Sequence, residues 1–182
     1  MGDSPLSMTE TPPNKSFTLD DTYHNLKYSW VIWAHLPHDT DWSLKSYKKL
    51  GSISSVEATI EMLNAIPDKV TKNCMLFIMK QGINPTWEDP HNANGGCFSY
   101  KISNTDVCKV WKNLSYCLVG ESLLTKNKNN ITGITISPKK NFCIIKIWMS
   151  DCNNQNPTII NYFEGIDAKG CLFKKHKPDH SK

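Results

Sequence analysis

The stretch ITGITISPKKNFCIIKIWM, residues 131–149, carries the clearest strand pattern in the chain. β-Branched and aromatic residues dominate 131–137 and 142–149, and these residue types favour strands because they pack well on a pleated surface. The four residues between them, 138–141, have the sequence PKKN, which is typical of a turn. The stretch therefore predicts two antiparallel strands joined by a tight turn.

Similar hydrophobic patterns predict five more strands, at 28–36, 47–53, 74–79, 97–102 and 171–175. Turns or single helices join these strands, whereas a parallel sheet would require a βαβ repeat. The pattern predicts an α+β fold in which one antiparallel sheet carries its helices on a single face.

Three helices are predicted between the strands. The first begins at a capping box formed by Ser54 and Glu57 and ends before Pro67. We expect its apolar side chains to share one face: Val56, Ile60 and Leu63. The second follows Asp106, and the third begins at Asn156. The apolar residues of this third helix are Ile159, Tyr162, Phe163 and Ile166.

The first 22 residues differ from the rest of the chain. They contain three prolines with scattered Ser, Thr and Asp and show no apolar period, so we predict a disordered tail at 1–22 and one domain at 23–182. No apolar run approaches the roughly 18 residues that a membrane span needs. We therefore expect no membrane partner.

Cysteine usage and charge limit the compartment and the ligand. Seven cysteines form no Cys-x-x-Cys pair, which favours a reducing cytoplasmic or nuclear compartment. The formal net charge is +4, and every one of the 21 cationic Lys and Arg positions is Lys. A bound phosphate would therefore meet point charges rather than bidentate guanidinium groups. We expect a monomer.

Two tryptophans, Trp42 and Trp87, lie on predicted loops that follow strands, and Glu88 comes directly after the second. Two loop indoles at one end of a sheet can stack on both faces of a flat base, at about 1–3 kcal/mol per base. A neighbouring carboxylate can accept hydrogen bonds from two adjacent N–H donors, as on the edge of guanine. On spacing alone, the alternative that these residues are unrelated surface side chains is equally good.

Two further groups of residues are weaker candidates. Cys171, His176 and His180 could ligate zinc, but they lack a paired cysteine motif, and we expect no metal or other cofactor. His38, Asp39 and Asp41 could suggest acid–base chemistry, yet no nucleophile accompanies them on their polar turn.

A series of motifs resembles, in order and spacing over residues 23–166, the translation initiation factor 4E family. The most specific are Pro-x-Trp-Glu-Asp at 85–89 and Leu-Val-Gly-Glu-Ser at 118–122. The others are His24-x-Leu26-x-x-x-Trp30-x-x-Trp33, Trp42, Ser55-Val-Glu57, Gly95-Gly96, Trp111 and Ile147-Trp148. The resemblance implies a curved antiparallel sheet with three helices on its convex face and a slot for the 7-methylguanosine cap of mRNA on its concave face.

The resemblance also implies roles for single residues. Trp42 and Trp87 would stack on the methylated base, Glu88 would bind the guanine edge, and Trp148 would touch the methyl group. The phosphate-binding arginine of the family is Lys139 here, and a slip of one residue would add Lys140. The two lysines that follow in the family correspond to Asn141 and Ile144, and an arginine after the double glycine corresponds to Cys97.

The convex face binds scaffold factor 4G or 4E-binding proteins in the family, through a Tyr-x-x-x-x-Leu-apolar peptide. His24, Val56 and Val119 match the contacts of the family there. Ile60 replaces a tryptophan, Tyr116 replaces a leucine, and residues 112–113 are Lys-Asn in place of Leu-Glu. The resemblance therefore predicts a partner-binding face that is altered at its centre.

The function that follows is binding of capped mRNA in translation initiation without catalysis, with 7-methyl-GTP as the minimal ligand. The alternative is a divergent cap-binding repressor or isoform that does not recruit the scaffold. A cap-processing enzyme is disfavoured because the sequence has no Gly-rich phosphate loop and no Glu-rich helix.

Overall fold

One seven-stranded antiparallel sheet organises the residues that the computed structural model describes, 23–126 and 130–177. Its strands are β1 (Asn25–His35), β2 (Tyr47–Ser55), β3 (Met75–Lys80), β4 (Gly96–Ser103), β5 (Ile131–Pro138), β6 (Phe142–Met149) and β7 (Leu172–Lys175). Their spatial order is β2-β1-β3-β5-β6-β4-β7. The predicted hairpin at 131–149 is confirmed as β5 and β6, while the predicted tail at 1–22 lies outside the described residues.

Three helices lie on the convex face: α1 (Val56–Ala65), α2 (Asp68–Asn73) and α3 (Val107–Val119). The cap of α1 is Ser55 rather than the predicted Ser54, since the Ser55 hydroxyl accepts a hydrogen bond from the Ala58 amide at 3.1 Å. Glu57 is therefore not part of a capping box. None of the helices in the described part of the chain is long and apolar enough to cross a bilayer.

The two faces of the sheet have different chemistry. Paired residues of four adjacent strands point toward the helices and are fully buried: Ile32, Ile78, Ile134 and Ile147. They pack in one core with side chains of α1 and α3 that include Leu63, Trp111, Leu114 and Leu118. The next residues along the strands point to the concave face: Trp33, Phe77, Thr135 and Lys146. The predicted α+β arrangement is confirmed.

The third predicted helix, from Asn156, is wrong. Only a single 3-10 turn forms, at Pro157–Ile159, and α2 is the third helix instead. The segment after the turn bonds to a distant part of the chain: the Asn161 amide donates to the Leu123 carbonyl at 2.8 Å, and the Thr125 amide donates to the Ile159 carbonyl at 3.1 Å. In this arrangement Ile160 and Ile166 are buried without a helix. The helical period of the apolar residues was therefore misleading.

Candidate functional site

A cleft of about 220 Å³ opens on the concave face, between the β1–β2 and β3–β4 loops. It brings together four residues that the sequence predicts to act together: Trp42, Trp87, Glu88 and Trp148. The remaining lining residues are Tyr47, Met75, Phe77, Pro85, Thr86 and Lys146. The two loop tryptophans, far apart in sequence, therefore belong to one site.

The indole of Trp42 is supported on one face only. It stacks on the ring of buried His35, with centroids 4.2 Å apart and the planes 2° from parallel. His35 is itself fixed, since its Nε2–H donates to the Asp41 carbonyl at 2.8 Å. Because Trp42 remains 57% exposed, its second face is available to a flat ligand.

Carboxylates hold the turn around Trp42. Asp39 accepts a hydrogen bond from the Asp41 amide at 2.9 Å, and Asp41 accepts from the amide and hydroxyl of Ser43 at 2.8 and 2.9 Å. The bonds from Ser43 hold the pKa of Asp41 below its ordinary value. Asp39 and Asp41, which the sequence offers as acid–base candidates beside His38, are therefore structural acceptors.

Asp89 organises the loop that carries Trp87. Its buried carboxylate accepts from the amides of Asn84 and His91, both at 2.9 Å, and from His91 Nδ1 at 3.0 Å. Burial raises the pKa of Asp89, but these hydrogen bonds outweigh it and hold the pKa below its ordinary value. The carboxylate therefore stays charged and closes the loop on itself.

A second polar side chain completes this loop. Asn92 is fully buried, and its Nδ2 donates to the carbonyls of Asn84 and Thr86 at 3.1 and 2.9 Å. With these backbone groups satisfied inside the loop, Trp87 points outward and is 47% exposed. Glu88 follows it at the rim of the cleft.

The carboxylate of Glu88 is available to a ligand. It is exposed and forms no ion pair with another residue of the described part of the chain. Its charge reaches Tyr47 across the cleft: burial raises the pKa of the Tyr47 phenol, and the negative charge of Glu88 raises it further. Glu88 is thus an acceptor beside the two stacking tryptophans.

An apolar cluster separate from the main core forms the floor of the cleft. It consists of Phe77, Met79 and Trp148, with Trp33, Tyr47, Met75 and Ile83 around them. Trp148 is 7% exposed, and its indole contacts the ring of His176 at a centroid distance of 4.6 Å. Gly133, paired with Trp148, must be glycine because a Cβ there would lie 2.5 Å from the Ile78 carbonyl oxygen, a backbone atom of the neighbouring strand. Trp148 is therefore held as part of a packed floor.

The two predicted phosphate ligands do not line the cleft. Lys139 and Lys140 are exposed in the β5–β6 turn, where the Lys139 amide donates to the Phe142 carbonyl at 2.8 Å. Lys146, which was not predicted from the sequence, lines the cleft instead. The alternation of side-chain directions along β6 predicts this position, because residues two apart on a strand share a face and Trp148 is two residues away from Lys146. Tyr47, Met75, Phe77 and His35 were missed as well.

The zinc candidates are not assembled in the structure. Within residues 23–126 and 130–177 no group of three metal-ligating side chains occurs, and His180 lies outside those residues. His176 bonds through Nδ1 to the Asn92 carbonyl at 2.8 Å, and burial lowers its pKa below the ordinary value. It therefore supports Trp148 as a neutral ring.

A second cleft, the convex groove, has a volume of about 430 Å³ and lies between β1, α1 and α3. Its lining residues are Leu26, Val56, Thr59, Ile60, Tyr116, Val119 and Gly120. Four of the five predicted partner-binding residues are among them. Val56 and Ile60 are 42% and 43% exposed and so do not share the buried face of Leu63, contrary to the prediction.

The fifth predicted partner-binding residue, His24, lies beside this groove without lining it. Its Nδ1 is 2.7 Å from a Glu57 carboxylate oxygen, and its amide donates to the other oxygen at 3.0 Å. These bonds lower the pKa of Glu57 to about 2. The pair ties the start of β1 to the first turn of α1.

Comparison with known proteins supports the family. The family model described as eukaryotic initiation factor 4E matches residues 25–176. Initiation factor 4E-2 of Schizosaccharomyces pombe is 28% identical over 142 residues, which cover 73% of this chain and 56% of that protein. Isoform 4E of Capsicum annuum is 28% identical over 162 residues, which cover 83% of this chain and 77% of that protein.

Solved structures support the fold. Ascaris suum eIF4E-3 in complex with an m7G cap has a TM-score of 0.65 and 23% identity, over 73% of this chain and 77% of that chain. Schistosome eIF4E, complexed with m7GpppG and 4E-BP, has a TM-score of 0.66 and 24% identity, over 73% and 75% of the two chains. Because the family model spans most of the sheet and its helices, this chain belongs to the eukaryotic initiation factor 4E family.

Proposed function

We propose that this protein binds the 7-methylguanosine cap of mRNA in translation initiation, in the cytoplasm and without a catalytic step. One observation carries the proposal: Trp42 and Trp87 present exposed indoles to one cleft whose rim holds the unpaired carboxylate of Glu88. Family membership supports it, as do solved relatives that hold an m7G cap.

The stacking residues select for the methyl group through charge. Methylation of guanine at N7 makes the ring cationic, and a cation over an indole face gains about 0.5–2 kcal/mol beyond ordinary stacking. His35 supports Trp42 from behind, so the indole is oriented before the ligand arrives. The apolar floor around Trp148 provides a contact for the added methyl group.

Glu88 selects for guanine. The N1–H and N2–H₂ donors of guanine lie side by side and match the two oxygens of one carboxylate, while adenine lacks this pair of donors. Because Asp89 and Asn92 satisfy the loop internally, the carboxylate of Glu88 is not needed to stabilise the fold.

The test is a fluorescence titration with 7-methyl-GTP and, in parallel, GTP. The fluorescence of Trp42 and Trp87 reports binding directly, because stacking of a base quenches indole emission. We expect strong quenching by 7-methyl-GTP and an affinity at least tenfold weaker for GTP, which corresponds to about 1.4 kcal/mol. Equal affinities, or no quenching by either nucleotide, would refute the proposal.

We also propose that the convex groove binds an apolar peptide of the kind found in 4E-binding proteins and scaffold factor 4G. The groove exposes Val56, Ile60 and Tyr116, and solved relatives are complexed with the 4E-binding protein Mextli or with 4E-BP. Lys112 on α3 donates to Asn64 on α1 at 3.1 Å, so this part of the convex face carries a cation engaged within the protein.

This change at Lys112, together with Ile60, supports a second candidate function: a cap-binding repressor or isoform that does not recruit the scaffold. A pull-down with immobilised scaffold peptide, performed with and without 7-methyl-GTP, distinguishes the two roles. Capture of the chain supports the initiation role. Cap binding without capture supports the repressor.

A further inference from the structure

The concave face places two lysines around Trp148 that the family resemblance does not assign. Lys146 lies on β6, two residues before Trp148 and on the same face, so their Cα atoms are about 7 Å apart. It lines the same cleft as Trp42 and Trp87. No acidic side chain of the described residues pairs with it.

The second lysine comes from the edge strand. In the ladder, Trp148 on β6 pairs with Cys97 on β4, and Cys97 pairs with Lys174 on β7. Lys174 therefore shares the concave face with Trp148, two strands and about 10 Å away. Cys97 between them is small and buried, whereas Lys174 is exposed. A long flexible ammonium side chain can extend over so small a neighbour.

The hairpin lysines are farther from the base. The turn with Lys139 and Lys140 comes just before Phe142, the first residue of β6, which is six residues and about 20 Å from Trp148. The phosphates of a nucleotide follow directly after its ribose. A base held in the cleft therefore brings its first phosphates within reach of Lys146 before they can reach the turn.

We propose that Lys146 and Lys174 hold the phosphate chain of the ligand whose base occupies the cleft, directing it across β6 and β4 toward β7. This inference rests on the proposed cap-binding function and assigns the phosphates to residues other than Lys139 and Lys140. Both ligands are point charges, so the phosphates are attracted without bidentate geometry. The path also places the following nucleotide of a capped RNA over the β4–β7 edge.

The experiment compares 7-methylguanosine, which carries no phosphate, with 7-methyl-GTP by tryptophan fluorescence in the full chain. The variants are Lys146→Gln, Lys174→Gln and the two combined, with Lys146→Arg as the charge-preserving variant. The matched comparison is Lys139→Gln combined with Lys140→Gln, which removes two charges from the turn. The measured quantity is the ratio of the two affinities, because it cancels changes in base stacking.

We expect each of Lys146→Gln and Lys174→Gln to lower the triphosphate advantage about three- to tenfold. Each should also reduce the slope of log affinity against log salt by about one. Lys146→Arg should keep both the triphosphate advantage and the salt slope of the unaltered protein. The double variant in the turn should change the ratio less than either single variant. Since Lys174 is exposed, Lys174→Gln tests the path without disturbing the cleft floor.

Two failures are distinguishable. If the unaltered protein binds neither 7-methylguanosine nor 7-methyl-GTP, the proposed function fails. If it binds both, but the ratio and salt slope change only in the Lys139→Gln, Lys140→Gln variant, the phosphates run toward the turn. That result overturns the assignment to Lys146 and Lys174 while cap binding stands.

Discussion

The concave cleft and the convex groove lie on opposite faces of one sheet and are built in opposite ways. The cleft presents its aromatic rings and Glu88 on two loops, which buried polar groups such as Asp89 and Asn92 keep in place. The groove is an apolar surface between β1, α1 and α3, where Ile60 and Tyr116 project from the two helices. In the proposed function, the cleft contacts its ligand through ring planes and charge, and the groove contacts its ligand through apolar surface area.

This difference explains how the residues of the groove can change in sequence while those of the cleft stay the same. A residue in the cleft depends on a network of hydrogen bonds, so a change there alters geometry as well as contact. In the groove, an exposed side chain can change without disturbing the core beneath it. Trp42, Trp87 and Glu88 of the predicted site line the cleft, while Ile60 lines the groove at a position where the resemblance implies a tryptophan.

The strongest test of the cleft removes its rings. Trp42→Ala or Trp87→Ala alone should weaken 7-methyl-GTP binding by about 1–3 kcal/mol, and the two together should abolish it, because each indole stacks on one face of the base. Isothermal titration calorimetry avoids the loss of fluorescent reporters. Trp42→Phe, which keeps a ring against His35, should retain part of the affinity. Unchanged binding of 7-methyl-GTP by the double variant would contradict the stacking model.

Glu88→Gln should cost about 1.5–3 kcal/mol of 7-methyl-GTP affinity and most of the preference for guanine over adenine, because a charge-assisted pair is lost. Competition with 7-methyl-GTP and ATP measures the preference. Glu61→Gln, a change to an exposed carboxylate on α1, is the control and should have no effect. If Glu88→Gln kept the preference for guanine over adenine unchanged, another residue would have to bind the guanine edge.

Asp89→Asn tests whether the polar network supports the cleft. We expect a loss of about 1–3 kcal/mol in unfolding free energy, since three hydrogen bonds to a buried carboxylate are weakened. Because folding lowers the pKa of Asp89, the wild-type contribution is present above its ordinary pKa of 3.8 and is lost as pH falls through the folded value.

Urea unfolding at pH 7 and at successively lower pH measures this effect. The stability difference between wild type and Asp89→Asn should shrink below the ordinary pKa. Asp167→Asn, at an exposed carboxylate outside the loop, serves as control. A pH-independent difference would mean that Asp89 acts through shape and not through charge.

We expect that a substitution in the groove can raise its affinity for a peptide without changing the affinity of the cleft for 7-methyl-GTP. Ile60→Trp should strengthen binding of a Tyr-x-x-x-x-Leu-apolar peptide by about 1 kcal/mol, because an exposed indole adds contact area at the centre of the groove. Ile60→Asp should weaken the same peptide. Fluorescence anisotropy of a labelled peptide measures both, and affinity for 7-methyl-GTP should not change. Coupled losses in both sites would contradict their independence.

The smallest effect is expected at the edge of the groove. Glu57→Gln removes an exposed pair with His24. With the folded pKa of Glu57 at about 2, its contribution is present above the ordinary 4.5 and is lost as pH falls toward about 2. The urea midpoints of wild type and variant should therefore converge in acid. A larger loss than that of Asp89→Asn would show that His24 anchors β1 more strongly than an exposed pair normally does.

Most strands, α1 and α3 could be predicted from the sequence, because their side-chain periods are local properties. The residue types and loop positions of Trp42, Trp87 and Glu88 left a base-stacking site and unrelated surface side chains as equally good interpretations, and the resemblance to the initiation factor 4E family favoured the first. The prediction from sequence failed at 156–166, where backbone bonds to 122–125 replaced a helix that the apolar period alone would favour.

Which residues share a site could be established only from the folded chain. The ladder sets Lys146 and Lys174 on the face of Trp148, and long-range pairing of β4 with β6 and β7 cannot be derived from local periods. The packing of α1 on the sheet also leaves Val56 and Ile60 exposed, although their spacing matches a buried face. The side of α1 that meets the sheet is occupied by Thr59 and Leu63. Periodicity gives the faces of an element, while packing decides which face is covered.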